Sequence, residues 1–167
     1  MHPPLLDEIG LDAALSWYSE GLTKRSGIAT AIELEPSDFP RLTPNLETMV
    51  LRIVQEALTN VFRHSAAKKC WVSVIKQETR LQVTVRDDGK GISSEIAAFQ
   101  PEMIGVGIGG IRQRIKEVGG VLSLRNGMPK GAILEATIPI TAESLRTKPG
   151  SLNGKELSGN GVPREAE

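Results

Sequence analysis

The sequence predicts an α/β protein, a two-layer sandwich in which helices cover one face of a mixed sheet. Three observations carry this expectation. The neighbouring runs "CWVSVIK" (70–76) and "RLQVTVRD" (80–87) alternate apolar and polar residues, as half-buried strands do. Residues 44–64 hold an apolar stripe at helical spacing: Leu46, Met49, Val50, Ile53, Val54, Ala57, Leu58 and Val61. The order helix, strand, long helix, two strands, loop, helix, two strands lacks the strict alternation of a doubly wound parallel sheet.

Taken in order, "HPPLLDEIG" is expected to be a non-helical lead-in because of Pro3 and Pro4. Leu11, Leu15, Tyr18 and Leu22 then share one face of a helix that Gly27 stops. "IATAIEL" (28–34) reads as a strand and "EPSDFPRLTP" as a turn-rich connection to the long helix. After the two alternating strands comes a glycine-bearing irregular stretch, 88–110, with room for one short helix. A helix over 110–119 ends at Gly119-Gly120. "VLSLRNG" and "GAILEATIPI" form a hairpin. From Thr141 onward the chain has no aromatic residue and much Gly, Ser, Pro and charge, the composition of a disordered tail. The expected organisation is therefore a lead-in and helix over 1–27, a domain over 28–140 and a tail over 141–167.

A chain of 167 residues, 40% apolar and 24% charged, is long enough to bury one core without staples. Lys and Arg balance Asp and Glu at 20 each, so bulk charge points to neither nucleic acid nor membrane. Cys70 stands alone, which excludes an internal disulfide and a cysteine metal cluster. No apolar run approaches the ~18 residues of a membrane span.

Within the long helix, Glu56, Asn60, Arg63 and His64 fall on one polar stripe, spaced at +4, +7 and +8. A solvated outer face is the simple account. Asn, however, is a mediocre helix former, and its place in mid-helix suggests a task for its oxygen. One such task is binding Mg²⁺, which takes hard oxygen ligands and keeps waters and phosphate oxygens for the rest. Glu56 would then hold a coordinated water or act as a base, and Arg63 would meet phosphate oxygens. His64 would face a ribose or phosphate, or serve as a structural histidine.

Asp87 continues the inward alternation of Val83 and Val85, and a buried carboxylate needs a partner. An adenine amino group is a donor of the right kind. Gly89 and Gly91 permit close approach to a flat ring, though "DDG" is also good hairpin chemistry. Asp88 and Lys90 read as solvent-facing. "GVGIGG" (105–110) directly precedes a helix, where amides can hold phosphate oxygens, with Arg112 nearer than Arg114. Its match to G-x-G-x-x-G is not a dinucleotide fingerprint, because "SSEIAAFQPEMI" before it is not strand-like.

Together, "EALTN", "DDGKGI" and "GVGIGGIRQR", in that order, resemble the N, G1 and G2 boxes of the GHKL ATPase superfamily of gyrases, heat-shock chaperones, histidine kinases and mismatch-repair ATPases. The likeness covers about residues 28–140. "EALTNVFRHSAAKK" with "GIGGIRQRIKEVGG" looks most similar to catalytic domains of bacterial sensor histidine kinases of the NarL/DesK type. The resemblance implies a Bergerat fold, with about five strands under three helices, and ATP with Mg²⁺ as ligands. ATP would lie between the long helix and a lid over 92–107. Carried over by motif, Asn60 is the Mg²⁺ ligand and Asp87 the adenine acceptor. Gly89, Gly91, Ile92, Gly105, Val106, Gly107, Ile108, Gly109 and Arg112 line the nucleotide, with Arg63 and His64 beside it. Glu56 and Asn60 hold the catalytic positions. His2 and His64 are the only histidines, and neither suits a phosphoacceptor. The resemblance therefore implies the catalytic domain of a longer protein-histidine kinase that does not autophosphorylate alone. Its partners would be a histidine-bearing dimerisation domain and a response regulator, with no nucleic acid and no membrane contact by this segment. A cytoplasmic location is expected, any membrane anchor lying in the parent chain. Other outcomes with this fold are an anti-sigma-factor-type serine kinase, an ATP hydrolase, and a nucleotide-binding module without chemistry.

Overall fold

A computed structural model describes residues 4–93 and 106–146. Helices α1 (Pro4–Ser26), α2 (Pro44–Asn60) and α3 (Val106–Glu117) pack on one sheet of strands β1 (Ala29–Glu35), β2 (Lys69–Lys76), β3 (Arg80–Asp87), β4 (Val121–Asn126) and β5 (Ala132–Pro139). Strand order is β1-β2-β3-β5-β4. The β1–β2 pair is parallel and the other pairs are antiparallel, so the sheet is mixed as expected.

One face of the sheet builds the core. Val72, Val74, Leu81, Val83, Val85, Leu134, Ala136 and Ile138 are buried against Val50, Ile53, Val54, Ala57 and Leu58 of α2. Intervening strand residues such as Trp71 and Arg86 face away and are exposed. Cys70 is fully buried in β2, opposite Asp87 in the β2–β3 register.

Three boundaries differ from the sequence expectation. Helix α1 begins at Pro4, because proline in a first helical turn lacks only an N–H that would have no intrahelical partner. Gly10, at φ 82°, breaks it into two pieces, and Leu6, Leu11, Leu15 and Leu22 all join the common core. Helix α3 starts at Val106, not at 110, so Gly107, Gly109 and Gly110 lie inside its first turns. Residues 141–146, expected to be tail, are fastened: Leu42 and Leu145 form a β-bridge, and the N–H groups of Thr43 and Arg146 donate to the carbonyls of Ser144 (2.9 Å) and Arg41 (3.0 Å).

The same corner holds a buried acid that periodicity did not single out. Glu47 is fully buried in the first turn of α2. Its carboxylate accepts from Arg41 Nε (2.9 Å) and Nη2 (3.2 Å) and from the Leu42 N–H (3.0 Å). Arg41 Nη2 also donates to the carbonyls of Leu6 and Asp7, each at 3.1 Å, which ties α1 to α2. Beside Glu47, the Arg41 guanidinium is held above its ordinary range by the hydrogen bond and the nearby charge, against the cost of burial.

Candidate functional site

A cavity of about 400 Å³ opens between the sheet and the end of α2. Its volume falls in the usual range for small-molecule sites. Asn60 and His64 line it from the helix side, Asp87 from the end of β3, and Gly91 and Ile92 from the turn that follows. Ile108 lines it from α3. Positions 60 and 87, assigned to opposite ends of one ligand by the motifs, therefore share a cavity.

The helical stripe is only partly preserved. After Asn60 the chain makes a π-helical turn, Val61–Ser65, closed by Ala66 in the left-handed region (φ 53°). A π turn closes i→i+5 hydrogen bonds, so each residue rotates through less than the ~100° of an α-helix. His64 thus comes into line with Asn60, while Arg63 is exposed and does not line the cavity. Glu56, one turn before Asn60, lines a neighbouring groove with Gly107 and Arg114. The Glu56 carboxylate lies against the Gly107 backbone, where any Cβ would run into it. Among the described residues none hydrogen-bonds the Asn60 side chain.

Asp87 is 3% exposed, as the strand alternation requires. Burial pushes its carboxyl up; the backbone N–H groups of Gly89 and Ala132 pull it back, and the charge of Asp88 adds to the rise. The Gly89 N–H donates to Asp87 Oδ1 at 2.7 Å. Gly89 is needed at that point because a Cβ would run into the Ser65 carbonyl oxygen. Asp88, expected to face solvent, also serves the backbone of the neighbouring strand. Its Oδ1 accepts from the N–H groups of Lys68 and Lys69, both at 2.9 Å, and these bonds hold its carboxyl below the usual range.

Ser65 was not foreseen as a site residue. Its Oγ donates to the Val61 carbonyl (2.6 Å) and accepts from the Ala67 N–H (3.0 Å), while its own carbonyl accepts from the Lys90 N–H (2.9 Å). It staples the end of α2 to the turn after Asp87. A serine followed by residues in a left-handed bend leaves no periodic signal, so the pairing is visible only in three dimensions. Lys90 is exposed but lines the cavity, and Val85, Leu124, Ala132 and Leu134 supply its apolar wall.

Of the remaining expected residues, Gly105 and the 94–105 part of the lid expected over 92–107 lie outside the described residues, and of Val106 only the backbone is described. Gly109 sits on α3, where an added Cβ would meet nothing within 4 Å outside the helix's own backbone. Arg112 is half-buried, and its Nε is enclosed without a hydrogen-bond partner among the described residues. No group of three or more His, Cys, Asp or Glu suited to a metal occurs among the described residues. A Mg²⁺ ion here would need neutral oxygens, waters and phosphate oxygens, a donor set that the Asn60 amide fits.

Fold and cavity define a two-layer α/β domain with a cavity between the sheet and the helix layer. Residues 45–142 match the family of histidine kinase-, DNA gyrase B- and HSP90-like ATPases, and the chain belongs to that family. It is similar to the sensor histidine kinase LiaS of Bacillus subtilis (strain 168), at 30% identity over 86% of this chain and 38% of that protein. It is also similar to the oxygen sensor histidine kinase NreB of Staphylococcus carnosus (strain TM300), at 30% identity over 84% of this chain and 40% of that protein. The chain thus spans about two fifths of the length of these curated relatives. The solved catalytic domain of the histidine kinase ThkA shares the fold, with a TM-score of 0.62 at 19% identity over 77% of this chain and 92% of that one. No helix among the described residues is long and apolar enough to cross a membrane.

Proposed function

We propose that this chain is the catalytic domain of a sensor histidine kinase, binding ATP with Mg²⁺ and passing the γ-phosphoryl group to a histidine on a dimerisation domain outside this chain. The acceptor nitrogen gains the bond to phosphorus, the bond from phosphorus to the β–γ bridging oxygen breaks, and ADP leaves. The phosphohistidine then serves a response regulator. The reading places the domain in the cytoplasm. It assigns residues 28–140 to the catalytic domain and the segment before them to the dimerisation side.

One observation carries the proposal: Asn60 and Asp87 line a single cavity in a chain of this ATPase family. Phosphoryl transfer asks a protein mainly for positioning and charge neutralisation. In this reading Asp87 accepts from the adenine amino group, and Gly89, Gly91 and Ile92 flank the ring. Asn60 offers its amide oxygen to Mg²⁺. His64 faces the ribose–phosphate side. Arg112, whose enclosed Nε has no hydrogen-bond partner among the described residues, meets phosphate oxygens at the start of α3, beside the backbone of Val106, Gly107, Ile108 and Gly109; Gly105 is assigned to the same phosphates by the motif. Mg²⁺, when bound, supplies charge neutralisation at the phosphates. Arg63 and Glu56 stand outside the cavity, so their parts in phosphate contact and in base catalysis depend on closure around the nucleotide.

Titration with ATP, with and without Mg²⁺, tests the reading. Tight binding that requires Mg²⁺ is expected, and Asn60→Asp should abolish that requirement and most of the affinity by placing a carboxylate beside the triphosphate. Unchanged Mg²⁺ dependence in the variant rejects the assignment. Incubation with a histidine-bearing dimerisation domain and labelled ATP tests the chemistry. Acid-labile, base-stable label supports histidine. Acid-stable label points to a serine kinase, and free phosphate without labelled protein points to a hydrolase.

A further inference from the structure

We infer that Asn126, which no motif includes and which does not line the cavity, is a positioning residue for the nucleotide site, fixing the backbone of Ile92 through both halves of its side-chain amide. The inference rests on the proposed function only for what the cavity binds. The Ile92 N–H donates to Asn126 Oδ1 at 2.6 Å, and Asn126 Nδ2 donates to the Ile92 carbonyl at 3.2 Å. This two-point contact reproduces one rung of a sheet ladder where the chain has already left β3, which ends at Asp87.

Several features converge on that contact. Asn126 is the last residue of β4, so its backbone is held by pairing with Ala132. Gly91, directly before Ile92, has φ +79°, a conformation that side-chain-bearing residues rarely adopt. A Cβ on Gly91 would lie 2.6 Å from Asn126 Oδ1 and 3.0 Å from the Gly131 carbonyl oxygen, so the turn is packed directly onto the amide. Gly91 and Ile92 themselves line the cavity that holds Asp87. Asn is the short side chain that offers an acceptor and a donor together; Asp offers acceptors alone, and Ala neither.

The contact sets where the Gly91–Ile92 wall stands relative to Asp87, and therefore how well the cavity is shaped before ligand arrives. The test combines amide hydrogen exchange at Ile92, ATP–Mg²⁺ titration and thermal unfolding on wild type, Asn126→Ala and Asn126→Asp. Asn126→Ala is expected to speed Ile92 exchange about tenfold and to weaken ATP–Mg²⁺ binding about three- to tenfold, with the melting temperature little changed because the residue is exposed. Asn126→Asp, which keeps the acceptor for the Ile92 N–H, is expected to recover part of both. Unchanged Ile92 exchange in Asn126→Ala overturns the clamp. Faster exchange with wild-type affinity overturns its role at the site. Failure of the wild type to bind ATP removes the functional reading and the positioning role with it, while the exchange result still decides the clamp.

Discussion

Replacing Asp87 by Asn separates the two consequences of burying an acid at the end of β3. One oxygen of the carboxylate is committed to the Gly89 N–H at 2.7 Å, and the group lines the cavity. An Asn side chain of the same shape must turn its NH₂ either toward that N–H or toward an adenine amino group, so a donor faces a donor in both orientations. Losing a hydrogen bond to a charged group costs about 1.5–3 kcal/mol, which is roughly one to two decades in dissociation constant. ATP titration of Asp87→Asn should therefore show at least about tenfold weaker binding. Stability should move the other way. Burial raises the folded-state pKa of Asp87 above its unfolded value, so the favourable contribution is complete below the unfolded carboxylate pKa and is lost as pH rises through the folded one. At pH 7.5 the ligand-free wild type carries this handicap and the variant does not. The variant should melt at or above the wild type there, and the gap should close as pH falls toward the unfolded pKa. Binding within about threefold of wild type refutes the adenine-acceptor role. A variant that melts well below wild type at pH 7.5 shows instead that the backbone bonds to Asp87 outweigh its burial.

Arg41→Ala strands the fully buried Glu47 with only the Leu42 N–H. Breaking a buried pair costs ~3–5 kcal/mol, but the Arg41 side chain is 37% exposed and water replaces part of it, so about 2–4 kcal/mol is expected. Thermal unfolding should show a melting temperature lower by roughly 5–12 °C. Gly27 and Gly131 both have positive φ, yet a Cβ at Gly27 meets open space and one at Gly131 runs into the Asp87 carbonyl oxygen. Gly27→Ala should cost about 1 kcal/mol in denaturant unfolding and Gly131→Ala clearly more. Gly109 and Gly110 lie in α3 where an added Cβ meets open space, so Ala at either should add about 0.5–1 kcal/mol of stability. A loss of ATP affinity with Gly109→Ala but not with Gly110→Ala is expected if the nucleotide approaches the α3 backbone at 109.

Much of the fold was legible because its signals are local. The period-two pattern of 70–76 and 80–87 put Val83, Val85 and Asp87 on one face, and the three are buried together. The 3.6-residue stripe found the buried face of α2, with Leu46 and Met49 at its half-buried edge. The rest depended on contacts distant in sequence. Proline chemistry argued against a helix at residue 4, yet a first-turn proline is tolerated once Leu6 and Leu11 have a core to join. The π turn after Asn60 is invisible to a fixed period, which is why Arg63 and His64 are both expected beside Asn60 while only His64 lines the cavity with it. Glu47 reads as an ordinary first-turn acid until Arg41 and the carbonyls of Leu6 and Asp7 close around it. Asn126 carried no signal because its partner, Ile92, lies 34 residues away.

Cys70 turns this architecture into its own reporter. The thiol is completely enclosed, and burial, reinforced by the neighbouring Asp87 charge, pushes its pKa up to about 12. The folded sheet therefore presents almost no thiolate for alkylation near neutral pH. With a single cysteine in 167 residues, modification by a thiol reagent requires states in which β2 has opened: it tracks their population when reclosing is fast and the opening rate when the reagent outpaces reclosing. The unaltered chain thus carries a chemical gauge of strand opening, directly opposite Asp87.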